Sequence, residues 1–327
     1  MINLYNISDN IILHSIHDPK IPITSSPIWI DLHNLTPEEE KNVEDYLGID
    51  IPTRKEMQQR TVSKRLYEEN NALYMTGIVI AKSETSSPES QAVTFVLYKN
   101  CIITVRYSQL YTFQTFSNHI TKTNFKTPPT AHSLFIGLMD AIIDRFANIL
   151  EATRYNIDSA AQMVFQINSK NKQEKQHVDY REVLTKIGSS GRLISKVRES
   201  VLTINRIMIY AAKSDIIKFE HQLRQRLESL LQDALSLSDY SDFLSNETGF
   251  LLDATLGVVN IEQNDVMRIF SIVSIIFLPP TLVASIYGMN FKIIPETNWE
   301  AGYFYSIGLM ILSALLSYRY FKKHNFL

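Results

Sequence analysis

The chain has 327 residues, with 32 Lys and Arg against 34 Asp and Glu, and one cysteine. That length exceeds a typical single domain and implies two or three structural units. The near-neutral balance, with no dense Lys/Arg patch, excludes a nucleic-acid binder, and the lone Cys101 excludes an intrachain disulfide and suits a reducing compartment. Mean hydropathy near zero averages a polar body of about 265 residues with a very apolar tail. The start, MINLYNISDNIILH, lacks the basic region and small-residue cleavage site of a signal peptide, so the polar body is expected to stay in the cytosol.

Residues 1–130 read as an α/β (or α+β) domain. Pro27 to Leu32 is a short buried strand. Thr36-Pro37-Glu38-Glu39 starts a helix, with Thr36 as N-cap, Pro37 in the first turn and Glu39 closing a capping box. The helix runs to Leu47 and stops at Gly48, and a second short helix follows near Thr53. Three β-rich runs come next: Arg65 to Tyr67, Leu73 to Ala81 and Ala92 to Tyr107. The last is broken by Tyr98-Lys99-Asn100 into a hairpin, and Lys82 to Gln91 is a polar loop. Cys101, in the strand-like run CIITV, reads as a buried small hydrophobe.

From 131 the pattern turns helical. Leu134, Leu138, Ile142, Phe146 and Ile149 recur at three-to-four spacing, and the helix extends to Gln166. A polar, lysine-rich break at Asn168 to Tyr180 marks a hairpin tip, and a second helix returns from Arg181 to Lys213. A third is expected to begin near Ser214, with no proline before Pro279. At 1.5 Å per residue such a helix approaches roughly 100 Å, the length of a stalk. Leu223, Leu227, Leu230, Leu237, Leu244, Leu251 and Val258 sustain an apolar line along it, consistent with helix–helix association.

Ile269 to Gly288 then supplies about 20 apolar residues, the span of a hydrocarbon core roughly 30 Å thick. Its Pro279-Pro280 pair would break a soluble helix but is tolerated in a membrane bundle. A second apolar stretch, 302–320, follows the connecting residues 289–301, and residues 321–327 form a basic tail. Two spans put both termini on one side. Arg319, Lys322, Lys323 and His324 after the second span, against Glu296 and Glu300 in the loop, place that side in the cytosol.

Within the first span, Asn264, Met267, Ser271, Ser274, Leu278, Thr281, Ser285 and Gly288 are three or four residues apart throughout. They occupy one helical stripe about 120° wide. On pattern alone the stripe serves either tight helix packing, which favours small and hydroxyl residues, or a water-accessible pore. A two-helix chain cannot enclose a pore alone, so the second reading requires an oligomer.

Gly288-Met289-Asn290, following Phe277-Leu278-Pro279-Pro280-Thr281-Leu282-Val283-Ala284-Ser285-Ile286-Tyr287, resembles the signature and first membrane helix of the CorA-type magnesium transporters. The similarity also takes in Leu251 to Ala254, Asn260 to Asp265, Pro295-Glu296, Trp299, Gly302-Tyr303 and, more loosely, Leu47 to Arg54 and Val93-Thr94-Phe95. It thus covers essentially the whole chain in the family's order. The resemblance implies a funnel-shaped homopentamer in a cell inner membrane, with a cytoplasmic α/β domain, long stalk helices and two C-terminal transmembrane helices. It implies Mg2+ as cargo, with Co2+ and Ni2+ as further candidates, and Mg2+ bound between cytoplasmic domains as the closing signal.

Residue roles follow from the same resemblance. Gly288, Met289 and Asn290 would form the outer selectivity ring, with Asn264, Met267, Leu278 and Thr281 lining the pore below and Ser271, Ser274 and Ser285 on the same stripe. Asp253 and Glu84 would be regulatory metal ligands. Where the family has Met-Pro-Glu-Leu, this loop has Ile294-Pro295-Glu296-Thr297, which retains Glu296 as a carboxylate at the mouth. An enzyme is disfavoured: there is no phosphate-binding Gly-rich loop, no Cys/His metal spacing and no nucleophile elbow, hence also no ATP-driven pump. The alternatives are a zinc-transporting relative, disfavoured because Phe291-Lys292 rather than a Gly-rich run follows Asn290, and a non-conducting membrane-anchored scaffold.

Overall fold

The computed structural model describes residues 1–8, 10–18, 21–59, 65–85, 87–165, 179–289 and 299–323. The expected hairpin tip from 168, the Asn290 and Glu296 positions and the end of the basic tail lie outside the described residues. The chain divides into two compact units, Met1–Leu252 and Asp253–Leu327.

The first unit is built on a seven-stranded sheet. Its strands are β1 (Ile2–Ser8), β2 (Ile11–His17), β3 (Trp29–His33), β4 (Leu66–Glu69), β5 (Ala72–Ala81), β6 (Glu89–Tyr98) and β7 (Cys101–Arg106), in the order β2-β1-β3-β7-β6-β5-β4. Only the β3–β7 pair is parallel. The β1–β2 hairpin and helix α3 (Tyr111–Lys122) were not foreseen in the sequence. Asn10 at φ 66° turns that hairpin, a left-handed conformation that Asn adopts more readily than most residues.

Strand alternation sorts the side chains into two faces. Ile30, Leu32, Ile103, Val105 and Val96 pack with Val43, Leu47 and Met57 of α1 (Pro37–Leu47) and α2 (Arg54–Gln59) into one core cluster. Helix α1 begins as its sequence dictates. The Thr36 hydroxyl accepts from the Glu39 N–H at 3.3 Å, and the Thr36 N–H donates to Glu39 Oε2 at 2.9 Å. It ends at Gly48, whose φ of 71° is free for glycine alone among common residues. Beside this cluster, burial pushes the Cys101 thiol up to about 12, so it stays protonated and inert.

On the opposite face lies a buried ion pair. Asp31 and Thr104 are register partners of β3 and β7, with Arg106 two residues further on. The Arg106 guanidinium donates to both Asp31 oxygens, at 3.0 and 2.8 Å. Thr104 donates to the same carboxylate at 2.8 Å, and Trp29 Nε1 donates to Thr104 at 3.0 Å. The pair is 7% and 3% exposed, and Arg106 lies 5.2 Å from the Phe113 ring, so α3 seals the network. Every polar atom named has a partner, the condition under which a buried pair is tolerated.

Helix α4 (Ala131–Phe165) packs on α3 and on α5 (Tyr180–Lys213), and α5 lies along β5. The Ile78 N–H, beyond the reach of short β4, donates to Thr203 Oγ1 of α5 at 2.9 Å. The third long helix, α6 (His221–Tyr287), starts seven residues later than the expected Ser214. Ser214 has extended backbone and caps α5, its hydroxyl donating to Glu68 at 2.7 Å. Ile217 is buried and Phe219 meets the His132 ring at 5.4 Å. Tertiary contacts hold these linker residues out of the helix, and no Gly or Pro announces it in the sequence.

Two outcomes are expected. Arg106→Met leaves Asp31 charged and unpaired in the core, and should lower the unfolding free energy by about 3–5 kcal/mol in a denaturant titration. Burial also holds the His132 and His33 imidazoles below the ordinary 6.5, with Glu220 opposing at His132, and with Arg106 assisting and Asp31 opposing at His33. The unfolded chain therefore binds more protons as pH falls through 6.5, so this contribution is complete above that value and is lost below it. The melting temperature should fall between about pH 7.5 and about pH 5.5, and His132→Phe should flatten part of that slope.

Candidate functional site

The second unit contains the C-terminal part of α6 and α7 (Gly302–Lys323). These two helices are long and apolar enough to cross a membrane. Pro279 and Pro280 lie inside α6 and do not end it. Proline there leaves the carbonyls of Ile275 and Ile276 without the usual N–H partners, while Thr281, immediately after, donates to the Phe277 carbonyl at 2.7 Å.

The faces of α6 differ in chemistry and in exposure. Ile272, Ile276, Pro279 and Val283, at spacings of three and four, are half-buried. Asn264, Met267, Ser271, Ser274, Leu278, Thr281 and Ser285 are all exposed in the single chain. On α7 the less exposed residues are Gly302, Ser306, Ile307, Leu309, Met310, Ser313, Ala314, Ser317 and Phe321, a mixture of small and large side chains. On α6, Phe270, Val273, Phe277, Leu282 and Ile286 are exposed as well, so the chain covers one narrow line of that helix and leaves open the polar stripe and the apolar residues that flank it.

The stripe's hydroxyls are oriented. Ser271 donates to the Met267 carbonyl and Ser274 to that of Phe270, both at 2.8 Å, as Thr281 does to Phe277. With their protons committed to the helix, these oxygens present lone pairs outward. A column of neutral acceptors suits the outward-pointing hydrogens of a hydrated cation.

At the end of the stripe Gly288 closes the helix, its N–H donating to the Ala284 carbonyl at 2.9 Å, followed by Met289 N–H to Ile286 at 3.3 Å. Its φ does not lie in the left-handed region, where Gly48 is the only described glycine. A Cβ here would lie 3.2 Å from the Ala284 carbonyl oxygen, within the same helical turn.

The expected regulatory carboxylates are less decisive. Glu84 accepts from Arg145 at 2.8 Å, while Arg145 also donates to Ser83 at 2.8 Å and lies over the Tyr111 ring. Asp253 is exposed on α6 and belongs to the other compact unit. Among the described residues no group of three or more His, Cys, Asp or Glu is arranged to hold a metal. A groove of about 1120 Å³ between α3, α4 and the start of α6 was not anticipated. Asp140 pairs there with Arg226, and burial together with Asp140 and Asp233 raises the Asp144 carboxyl above the usual range, with Arg226 opposing. The i, i+4 spacing of Asp140 and Asp144 was the available signal.

Aromatic residues mark both ends of α7. Trp299 meets Tyr305 at 6.0 Å and Tyr303 meets Phe304 at 5.7 Å at one end. At the other, Tyr320 meets Phe321 at 5.3 Å and Lys322 lies over Tyr318 at 5.7 Å. Amphipathic rings at both ends with cations at one is the pattern of a helix held between two membrane–water interfaces.

These features define an α/β domain joined by one long helix to an apolar helical hairpin with an open polar stripe. Residues 24–323 match the family model for the CorA-like Mg2+ transporter protein, and the chain belongs to that family. The magnesium transport protein CorA of Pectobacterium atrosepticum is 29% identical over 310 residues, covering 95% of each chain. That of Escherichia coli K12 is 28% identical over 327 residues, covering all of both. The solved structure of the CorA magnesium transporter from Methanocaldococcus jannaschii shares the fold, with a TM-score of 0.75 at 18% identity, over 98% of this chain and 97% of that one.

The two tryptophans give a direct check, since Trp29 is 1% exposed in the sheet and Trp299 is 58% exposed beside α7. In liposomes, lipids brominated near the headgroup should quench the wild-type fluorescence, and Trp299→Phe should abolish the quenching. Quenching that survives in this variant would remove Trp299 from the interface.

Proposed function

We propose that the chain is a homopentameric Mg2+ channel of the inner membrane that admits the ion down the membrane potential, with both termini in the cytosol. The observation that carries this reading is the exposed column of neutral oxygens on α6, which in sequence leads to Gly288-Met289-Asn290. The similar proteins named above as magnesium transport proteins point to the same cargo.

The chemistry is consistent. Mg2+ dehydrates reluctantly and demands octahedral oxygen geometry. Five Asn290 amides at the outer mouth would hydrogen-bond the hydrated ion without stripping it, whereas carboxylates would hold it too firmly for conduction. Glu296 in the external loop would raise the local cation concentration. Met267 and Leu278 would be apolar constrictions that close by dewetting. The driving force is about 2.3 kcal/mol per charge per 100 mV, hence about 4.6 kcal/mol for a dication, so no ATP is required. Co2+ and Ni2+, close in size and hydration, are further candidate cargoes.

Closure is assigned to cytosolic Mg2+ bound between subunits, with Asp253 and Glu84 as candidate ligands. The Arg145 partner does not disqualify Glu84. An ion pair this exposed contributes roughly 0–1 kcal/mol, which a dication readily offsets.

Reconstituted protein should conduct Mg2+ in a liposome flux assay with the ion offered on either side, and Asn290→Ala should abolish flux while leaving the oligomer intact. Full flux in that variant would sink the selectivity ring. Zn2+ conducted in preference to Mg2+ would move the chain to the zinc-transporting alternative, and a stable oligomer without flux would make it a scaffold. Asp253→Ala should raise the internal Mg2+ needed for closure; unchanged inhibition would remove Asp253 from the sensor.

A further inference from the structure

The C-terminal half of α7 sorts its side chains onto two sides. Its less exposed residues, Ser313, Ala314, Ser317 and Phe321, gather within an arc of about 100°. Ile311, Leu312, Leu315 and Leu316 lie on the other side and are between 54% and 60% exposed. Counting on by threes and fours leads from them to Arg319, Lys322 and Lys323, which are also exposed and share one arc of about 140° with the aliphatics. Helix α7 contains no Asp or Glu. Among the described residues none of the three cations pairs with a carboxylate.

The face is therefore an aliphatic strip with a cationic foot. From Ile311 to Lys322 the helix rises about 16 Å, close to the roughly 15 Å that one leaflet contributes to the hydrocarbon core. We infer that this face holds an anionic phospholipid, its acyl chains along the strip and its headgroup phosphate bound by Arg319, Lys322 and Lys323. Guanidinium and ammonium groups donate charge-assisted hydrogen bonds to phosphate oxygens, and the fork of Arg319 can do so with two at once. Lys322 lies over the Tyr318 ring, 5.7 Å from its centre, which holds the ammonium at the edge of this face. The occupant is a lipid because strip and foot form one continuous surface, and a soluble phosphate would use the foot alone. A zwitterionic lipid brings its own ammonium, which three neighbouring cations repel. The inference rests on the reading of α7 as a membrane span and is independent of conduction.

The test places a fluorophore beside the foot. Tyr318→Trp in a Trp299→Phe background leaves Trp29, 1% exposed in the α/β unit, as the other tryptophan. This full chain is reconstituted in phosphatidylcholine vesicles that carry a small fraction of either dibrominated phosphatidylglycerol or dibrominated phosphatidylcholine. With three cations at the membrane surface, the brominated phosphatidylglycerol should quench at a mole fraction about tenfold lower. Combined Arg319→Gln, Lys322→Gln and Lys323→Gln should equalise the two lipids, while Lys322→Arg with Lys323→Arg should keep the preference. Equal quenching in the parent chain, a preference that survives the three glutamines, or one lost with the arginines overturns the lipid site and leaves the span standing. Loss of the preference in excess inorganic phosphate at constant ionic strength identifies a soluble-phosphate site and overturns the lipid as occupant. No quenching by either lipid removes α7 from the bilayer and overturns both readings.

Discussion

A helix that buries one line of side chains within its own chain cannot bury the opposite line there as well. Much of this protein follows from that constraint acting on α6. Its leucine line is buried within the chain, and further along only the line of Ile272, Ile276, Pro279 and Val283 loses exposure while the stripe from Asn264 to Ser285 does not. What remains uncovered includes a polar stripe within an otherwise apolar segment. The chain does not bury that stripe itself, which is why oligomerisation and conduction are proposed together rather than as separate properties.

Charge is distributed to match. The α/β unit tolerates full charges, even a buried pair, because Asp31 and Arg106 satisfy each other completely. The stripe on α6 contains no carboxylate at all between Asn264 and Gly288. An anionic column in a low-dielectric environment would bind a dication strongly enough to trap it, since Coulomb attraction grows as the effective dielectric falls. Hydroxyls whose protons are already donated to backbone carbonyls provide a weaker and repeated attraction, better suited to passage than to storage.

What the sequence disclosed depended on the range of the interaction. The Thr36–Glu39 box, the Gly48 stop and the β6–β7 hairpin are written within a few residues and appear where expected. The long helices and the stripe were legible because 3.6-residue periodicity accumulates over many turns. Pairings distant in sequence were not. The β3–β7 pairing, the Asp31–Arg106 pair and the Asp140–Arg226 bridge each join residues more than 70 apart. The late start of α6 belongs with them, since Ser214 and Phe219 are held by Glu68 and His132 rather than by any local breaker.

The proposed sensor depends on how the ion's affinity differs between two arrangements. A ligand shifts a conformational equilibrium only by its differential affinity for the two states. If Glu84 were free, Mg2+ could bind it equally in open and closed arrangements and would shift little. Engagement with Arg145 does not change this, because the pair lies within one subunit and lowers the affinity equally in both arrangements. In the proposed sensor the difference would come from further oxygens that a neighbouring copy supplies in one arrangement, with Asp253 as the candidate. The exposed pair, worth roughly 0–1 kcal/mol, would only raise the Mg2+ concentration at which closure begins.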